Sequence, residues 1–158
     1  MKHSQTTGAN YSGSNVKVAI VSARFNGKIV DAMRVAAHQT LLENDVIETD
    51  IKHIYVPGAF ELPLACKALA ESKKYNAVIS LGCVIRGDTP HFDYVCSSSA
   101  LGIQQACLET NTPIAFGVLT TDTTEQALER SSTSNIEHNK GRDTALCVLE
   151  MINVLKSI

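Results

Sequence analysis

Four short apolar runs alternate with longer segments of helical periodicity, and this alternation limits the fold more than any other feature of the chain. The runs cover residues 16–21, 50–56, 77–85 and 114–120, and each is typical of a β-strand. The run at 77–85 is nearly continuously apolar, as expected of a central parallel strand covered on both faces. Strands that alternate with helices predict right-handed βαβ crossovers. We therefore expect an α/β fold, a three-layer sandwich with a four-stranded parallel sheet and helices on both faces.

The helical segments carry apolar residues at three- and four-residue spacing, as amphipathic helices do. They cover residues 29–41, 62–69, 91–109, 123–130 and 140–156. Thr121, Asp122 and Thr123 are each suitable N-caps for the fourth helix. Because the chain shows no internal repeat and no linker, we expect one domain over residues 16–158, preceded by a flexible segment at residues 1–15.

The composition excludes several classes of partner. The 158 residues are 44% hydrophobic and 19% charged with a formal net charge of −2, so neither nucleic acid nor an acidic membrane surface is an expected partner. No apolar stretch approaches the roughly 20 residues of a membrane span, and the first fifteen residues lack the apolar core of a secretory signal. We expect a cytoplasmic protein.

The cysteines favour neither disulfides nor metal. There are five, an odd number, and no two form a C-x-x-C pair, so all five are interpreted as small core residues in a reducing compartment. His38 and His53 lie inside periodic segments and are expected to be partly buried surface residues. We expect no metal site.

In an open parallel sheet, ligands bind beyond the carboxyl ends of the strands. The loops that reach this edge are residues 22–27, 57–61, 86–91 and 120–123. No P-loop, G-x-G-x-x-G or G-x-S-x-G motif is present, which argues against a kinase, a dinucleotide-dependent oxidoreductase and an α/β-hydrolase.

The loop after the third strand is a candidate anion site. Gly87 permits a tight turn and Pro90 suits the first turn of a helix, whose free N–H groups and positive dipole end attract anions. Arg130 or Arg86 could supply a cation for a phosphate. The alternative is an ordinary helix start, and Asp88 argues against an anion unless its side chain points away.

Other side chains at this edge also have two interpretations. His91 is either a proton-transfer group near pH 7 or a solvated histidine without a role. Phe25 either meets a ligand or closes the end of the core, and the same alternatives apply to Phe60 and Phe116. Glu61 is either a site carboxylate or one of the many glutamates that begin helices.

Taken together, the loops resemble one family, the lumazine synthases, over residues 16–155. The motifs are RFN at 24–26, VPGAFELP at 56–63, GCVIRGDTPHFDYV at 82–95, PIAFGVLTTD at 113–122, and EQA at 125–127 with ER at 129–130 and NKG at 139–141. The connection at 131–139 is longer than in many bacterial members, and Asp143 stands where many have a glutamate. Arg130 and Lys140 therefore align only through the flanking motifs.

The resemblance implies a flavodoxin-like fold and a transferase of riboflavin biosynthesis. Such an enzyme condenses 5-amino-6-(D-ribitylamino)uracil with 3,4-dihydroxy-2-butanone 4-phosphate to give 6,7-dimethyl-8-ribityllumazine. It implies no metal or organic cofactor. It also implies a homopentamer with sites shared between adjacent subunits, and the assembly of pentamers into a larger shell is left open.

The resemblance also assigns roles to residues of this chain. His91 would be the proton shuttle, and Phe25 would stack on the pyrimidine. The implied pyrimidine and ribityl contacts are Phe25, Ala59, Phe60, Glu61, Val84, Ile85, Phe116 and Lys140. The implied phosphate contacts are Gly87, Asp88, Thr89 and Arg130. Phe116 and Arg130 would come from the neighbouring subunit.

Three other functions compete with this one. A flavodoxin-like module could hold a flavin or lumazine without turnover, although it would have no need of both His91 and Arg130. A related enzyme could convert lumazine to riboflavin on the same scaffold. A structural shell protein with a decayed site is disfavoured because the motifs are intact.

Overall fold

A computed structural model describes residues 8–158, and the predicted alternation of strands and helices is confirmed. The strands are β1 (Val18–Ala23), β2 (Ile51–Val56), β3 (Ala77–Ile85) and β4 (Ile114–Thr121). The helices are α1 (Gly27–Glu43), α2 (Leu62–Glu71), α3 (His91–Thr110), α4 (Thr124–Arg130) and α5 (Lys140–Ser157). Within residues 8–158, no helix is both long and apolar enough to cross a bilayer.

The four strands form one parallel sheet in the order β2-β1-β3-β4. Successive residues of a strand point to opposite faces, and the two faces of this sheet carry separate cores. Ile20 and Ile79 belong to the core under α1 and α5, whereas Val21 and Val78 belong to the core under α2 and α3. The predicted three-layer, flavodoxin-like arrangement is therefore confirmed.

The position of the first strand differs from the prediction. The apolar run predicts residues 16–21, but β1 spans Val18–Ala23. Val16 is buried in the core without joining the sheet, while Ala23 pairs with Val56 at the end of β2. An apolar residue therefore does not mark where a strand begins, because a core residue just before a strand is as apolar as the residues inside it.

Part of the N-terminal segment lies against the last helix. The Asn153 side-chain amide donates hydrogen bonds to the carbonyl oxygens of Asn10 (3.1 Å) and Ser12 (3.0 Å). The predicted flexible segment covers residues 1–15, of which residues 1–7 lie outside the part that the structure describes.

The prediction that all five cysteines are core residues was wrong for three of them. Cys66 and Cys83 are buried, Cys96 and Cys107 are half-buried, and Cys147 is exposed. The last three lie on helices, where a single apolar stripe leaves neighbouring positions outside the core. All five thiols are free.

Candidate functional site

Phe25 lies just beyond the end of β1 and is not part of the core. The Arg24 N–H donates to the carbonyl oxygen of Val56 (2.8 Å), and the Phe25 N–H donates to that of Pro57 (3.1 Å). The chain after β1 therefore continues to pair with the chain after β2. The Phe25 side chain is 71% exposed, so the alternative that it closes the end of the core is wrong.

Asn26 fixes this loop against the central strand. It adopts a left-handed conformation (φ 55°) at the start of α1, and its side-chain amide donates to the carbonyl oxygen of Cys83 (2.8 Å). No role was predicted for Asn26 from the sequence. A signal was present, because an asparagine in a strand-to-helix loop tolerates the left-handed region.

A cavity of about 930 Å³ lies beyond the carboxyl ends of β1, β2 and β3. This is where the strand order reverses, between β1 and β3, and ligands of such sheets bind there. Nine of the site residues predicted from the sequence line this first cavity. They are Phe25, Ala59, Phe60, Glu61, Val84, Ile85, Gly87, Thr89 and His91.

Three further residues in the first turns of α3 line the first cavity, and no role was predicted for them from the sequence. Tyr94 and Val95 follow His91 by three and four residues, which places all three on one helix face. Phe92 lines the cavity as well, although it is buried. The helical spacing within the third motif could have identified Tyr94 and Val95.

The loop before α3 offers a row of hydrogen-bond donors. Within residues 8–158, the main-chain N–H groups of Gly87, Asp88 and Thr89 have no intramolecular acceptor, and α3 begins two residues later at His91. Free N–H groups next to a helix N-terminus suit an anion. Gly87 and Thr89 line the first cavity but Asp88 does not. The objection that the Asp88 carboxylate would repel an anion is therefore weakened.

The reason given for Gly87 was wrong. It was expected to permit a tight turn, but its φ lies outside the left-handed region where only glycine is comfortable. An added Cβ would meet no atom within 4 Å. Since Gly87 lines the first cavity, its missing side chain leaves room there instead.

Arg86 is engaged by carboxylates. Its Nε donates to Asp122 Oδ1 (2.8 Å), its Nη1 lies 3.4 Å from Asp93 Oδ1, and its guanidinium carbon lies 4.2 Å from the centre of the Phe92 ring. The hydrogen bond to Asp122 is the largest cause that raises the pKa of Arg86. Of the two arginines predicted as candidates for binding a phosphate, Arg86 is therefore already paired with carboxylates.

Two titratable side chains of the first cavity differ in what they can do. Glu61 is exposed and forms no ion pair with any residue of the described part of the chain, so its carboxylate is available to hydroxyl groups. Burial raises the pKa of the Cys83 thiol to about 11. Cys83 is therefore protonated at neutral pH and is no nucleophile.

A second cavity, of about 510 Å³, lies along β4 and α5. It contains three of the four remaining site candidates, Phe116, Arg130 and Lys140. Arg130 Nη1 donates to the carbonyl oxygen of Gln126 (3.0 Å), and Lys140 Nζ pairs with Asp143 Oδ2 (2.8 Å). The second cavity therefore carries cations, while the first carries aromatic rings, main-chain donors and His91.

The long connection between Arg130 and Lys140 is anchored by a buried asparagine. The Asn139 side chain donates to the carbonyl oxygen of Ser132 (3.1 Å) and accepts from the N–H of Gly141 (2.8 Å) at the start of α5. Asn139 is 0% exposed. The connection thus ends in an N-cap that fixes Lys140 at the second cavity.

Within one chain the predicted site residues do not form one pocket. Nine line the first cavity, three line the second, and Asp88 lines neither. β4, which carries Phe116, is an edge strand of the sheet. Among residues 8–158, no group of three His, Cys, Asp or Glu side chains is placed to hold a metal ion.

A family model described as 6,7-dimethyl-8-ribityllumazine synthase matches residues 15–156 of the chain. The match begins before β1 and ends within α5. It therefore contains every residue that lines either cavity.

Proposed function

We propose that the chain catalyses the condensation that gives its family its name, because it belongs to the 6,7-dimethyl-8-ribityllumazine synthase family. Members of this family are transferases of riboflavin biosynthesis. The substrates are 5-amino-6-(D-ribitylamino)uracil and 3,4-dihydroxy-2-butanone 4-phosphate. The products are 6,7-dimethyl-8-ribityllumazine, inorganic phosphate and two water molecules. The observation that carries this proposal is the first cavity, where an exposed aromatic ring, unpaired main-chain donors and a histidine face one space.

The pyrimidine binds against Phe25. An exposed ring at the edge of a cavity offers a flat apolar face for stacking on a planar heterocycle. Val84 and Ile85, half-buried at the end of β3, line the same cavity and contribute apolar surface to it. The ribityl chain lies along Ala59–Glu61, where the free Glu61 carboxylate accepts hydrogen bonds from its hydroxyl groups.

The phosphate binds at the loop before α3. The main-chain N–H groups of Gly87, Asp88 and Thr89 donate to its oxygens, and the helix dipole adds to the attraction. The Thr89 hydroxyl lies 3.4 Å from the His91 N–H, which places it at the same helix start. Arg130 supplies the opposite charge.

The chemistry consists of bond exchanges without net oxidation. The pyrimidine 5-amino group attacks the ketone carbonyl and the resulting imine forms with loss of water. Removal of the proton on carbon 3 and cleavage of the C–O bond at carbon 4 then release inorganic phosphate, which takes the bonding electrons. The resulting enol tautomerises to a ketone at carbon 3. The ribityl-bearing nitrogen attacks this new carbonyl to close the ring, and the second water leaves. His91 moves protons between nitrogen and oxygen in these steps, while positioning of the two substrates supplies most of the acceleration.

Each complete site combines the first cavity of one subunit with the second cavity of its neighbour. Phe116, 46% exposed on an edge strand, and Arg130 lie in a cavity separate from Phe25. Exposed apolar side chains recur every seven residues on α3, at Tyr94, Leu101 and Leu108, and a neighbouring copy would cover such a stripe. The proposed homopentamer rests on the family resemblance.

We also propose that the protein is cytoplasmic. Its free thiols are compatible with a reducing compartment.

The direct experiment mixes both substrates with the protein and follows the absorbance and fluorescence of the lumazine. Product from the wild type, with the turnover number of His91→Ala lowered about a hundredfold and KM little changed, supports the proposal. Tight binding of a flavin or lumazine without product would support the binding module instead. Riboflavin formed from lumazine alone would identify the related enzyme.

A further inference from the structure

We infer that Arg86 is a positioning residue that braces the phosphate loop, residues 87–90, rather than a ligand of the phosphate. This inference rests on the proposed function, because it concerns how one substrate's phosphate is held. Arg86 lies next to the first cavity and is already paired with Asp93 and Asp122.

The contacts of Arg86 join three elements at one point. Its main-chain N–H, just past β3, donates to the carbonyl oxygen of Thr121 at the end of β4 (2.9 Å). Its side chain reaches Asp122 beyond β4 and Asp93 in the first turn of α3. The guanidinium also lies over Phe92, which is buried and therefore fixed. The phosphate loop is thus held at its beginning by β4 and at its end by α3.

Several contacts make this brace stronger than an ordinary surface ion pair. Exposed pairs of a single acid and a single base are worth little because water screens them. Arg86 instead pairs with two carboxylates and stacks on an aromatic ring, and a planar guanidinium can satisfy both demands at once. A lysine keeps the charge but loses the stacking and the second hydrogen bond.

The same geometry argues against direct contact with phosphate. Ile85 and Gly87 line the first cavity, but Arg86 lies between them and lines neither cavity. Its Nε and Nη1 donors point at Asp122 and Asp93. Two carboxylates beside the guanidinium would also repel an approaching anion.

Arg86 also connects the phosphate loop to the helix that carries Arg130. Asp122 is followed by Thr123, which caps α4 through a capping box with Gln126. α4 ends at Arg130. One ion pair therefore links the two phosphate-binding elements of the chain, although each would serve a different composite site of the oligomer.

The test compares Arg86→Gln, Arg86→Lys, Asp122→Asn and the Arg86→Gln/Asp122→Asn double variant in the assembled protein. Binding of inorganic phosphate is measured by calorimetry, and kcat and both KM values by product formation. Arg34→Gln is the matched control, because Arg34 pairs with Asp31 (2.7 Å) on α1 away from both cavities. The control should match the wild type.

If the brace acts as inferred, Arg86→Gln and Asp122→Asn each weaken phosphate binding and raise KM for the sugar phosphate about tenfold or more, with KM for the pyrimidine unchanged. The double variant should be no worse than Arg86→Gln, because that variant has already lost the contact with Asp122. Arg86→Lys should fall between Arg86→Gln and the wild type. Melting temperature alone would not show this split between the two substrates.

Two results would overturn the inference. If Asp122→Asn leaves phosphate binding unchanged or tightens it while Arg86→Gln weakens it, Arg86 contacts the phosphate itself. If all variants bind phosphate within about twofold of the wild type, Arg86 has no role in the loop. A wild type that makes no lumazine would instead contradict the proposed function, and the calorimetric comparison would still test the brace.

Discussion

At the scale of single residues, Phe25 keeps 71% of its surface exposed only two residues after a strand whose residues are all buried. Leaving an aromatic side chain in water forgoes roughly 1.5–3 kcal/mol of burial free energy. Phe60 and Phe116 are also exposed, and both line a cavity. Exposed aromatic rings grouped around cavities are typical of ligand and subunit contacts.

Arg130 provides a prediction at this scale. We expect Arg130→Ala to raise KM for the sugar phosphate about a hundredfold while KM for the pyrimidine changes little, because a charge-assisted hydrogen bond to phosphate is worth roughly 1.5–3 kcal/mol. Steady-state kinetics with each substrate varied in turn measures both values. Arg34→Ala, on α1, is the control. An equal loss for both substrates would remove Arg130 from phosphate binding.

At the scale of secondary-structure elements, the packing of α5 on α1 places Lys140 at the second cavity. Gly141, the next residue, lies so close to α1 that an added Cβ would overlap the Met33 carbonyl oxygen. Two helices approach this closely only where a side chain is missing. The start of α5 therefore depends on this glycine.

We expect Gly141→Ala to lower the free energy of unfolding by about 3 kcal/mol, because main-chain atoms of α1 must move to relieve the overlap. Gly27→Ala is the matched control, since a Cβ there would meet no atom within 4 Å. Urea denaturation of both variants measures the difference. A Gly141→Ala variant as stable as Gly27→Ala would mean that α1 and α5 are not packed as described.

The contact between α1 and β2 makes stability depend on pH. His38 Nδ1 lies 2.8 Å from His53 Nε2 with the two rings stacked. Burial of His53 is the largest cause that lowers its pKa below 6.5, and His38 and Arg34 add to it while Glu48 and Asp31 oppose it. Below pH 6.5 the unfolded chain therefore binds more protons at this residue than the folded chain does. The free energy of unfolding consequently decreases as the pH is lowered.

We expect His53→Gln to lose less stability than the wild type when the pH is lowered from 7.5 to 5.5. The variant removes the group whose proton uptake favours the unfolded state. Urea denaturation at both pH values measures the two losses. An identical loss in both proteins would show that His53 does not titrate with folding.

At the scale of the whole molecule, periodicity predicted the elements, the parallel sheet and the edge at which the first cavity lies. These follow from local spacing and from rules of chain connection. The start of β1 and the exposure of Cys147 could not be predicted, because both depend on which neighbours pack nearby. The conformational reason predicted for Gly87 was wrong because the sequence does not show its backbone angle.

The separation of the candidate residues into two cavities also needed three dimensions. Phe116 and Phe60 cannot be distinguished by their sequence surroundings, because each is an aromatic residue in an apolar segment. Only the strand order shows that Phe116 lies on the β4 edge, away from the first cavity. The proposed composite site follows from this separation and from the family resemblance.

Mixing inactive variants tests the composite site most directly. One variant, Phe25→Ala with His91→Ala, disables the first cavity; the other, Phe116→Ala with Arg130→Ala, disables the second. In a ring assembled at random from equal amounts, a site has an intact first half with probability one half and an intact second half with probability one half. We expect co-assembled rings to regain about a quarter of wild-type lumazine formation. Mixed rings no more active than their two parents would contradict a site shared between subunits.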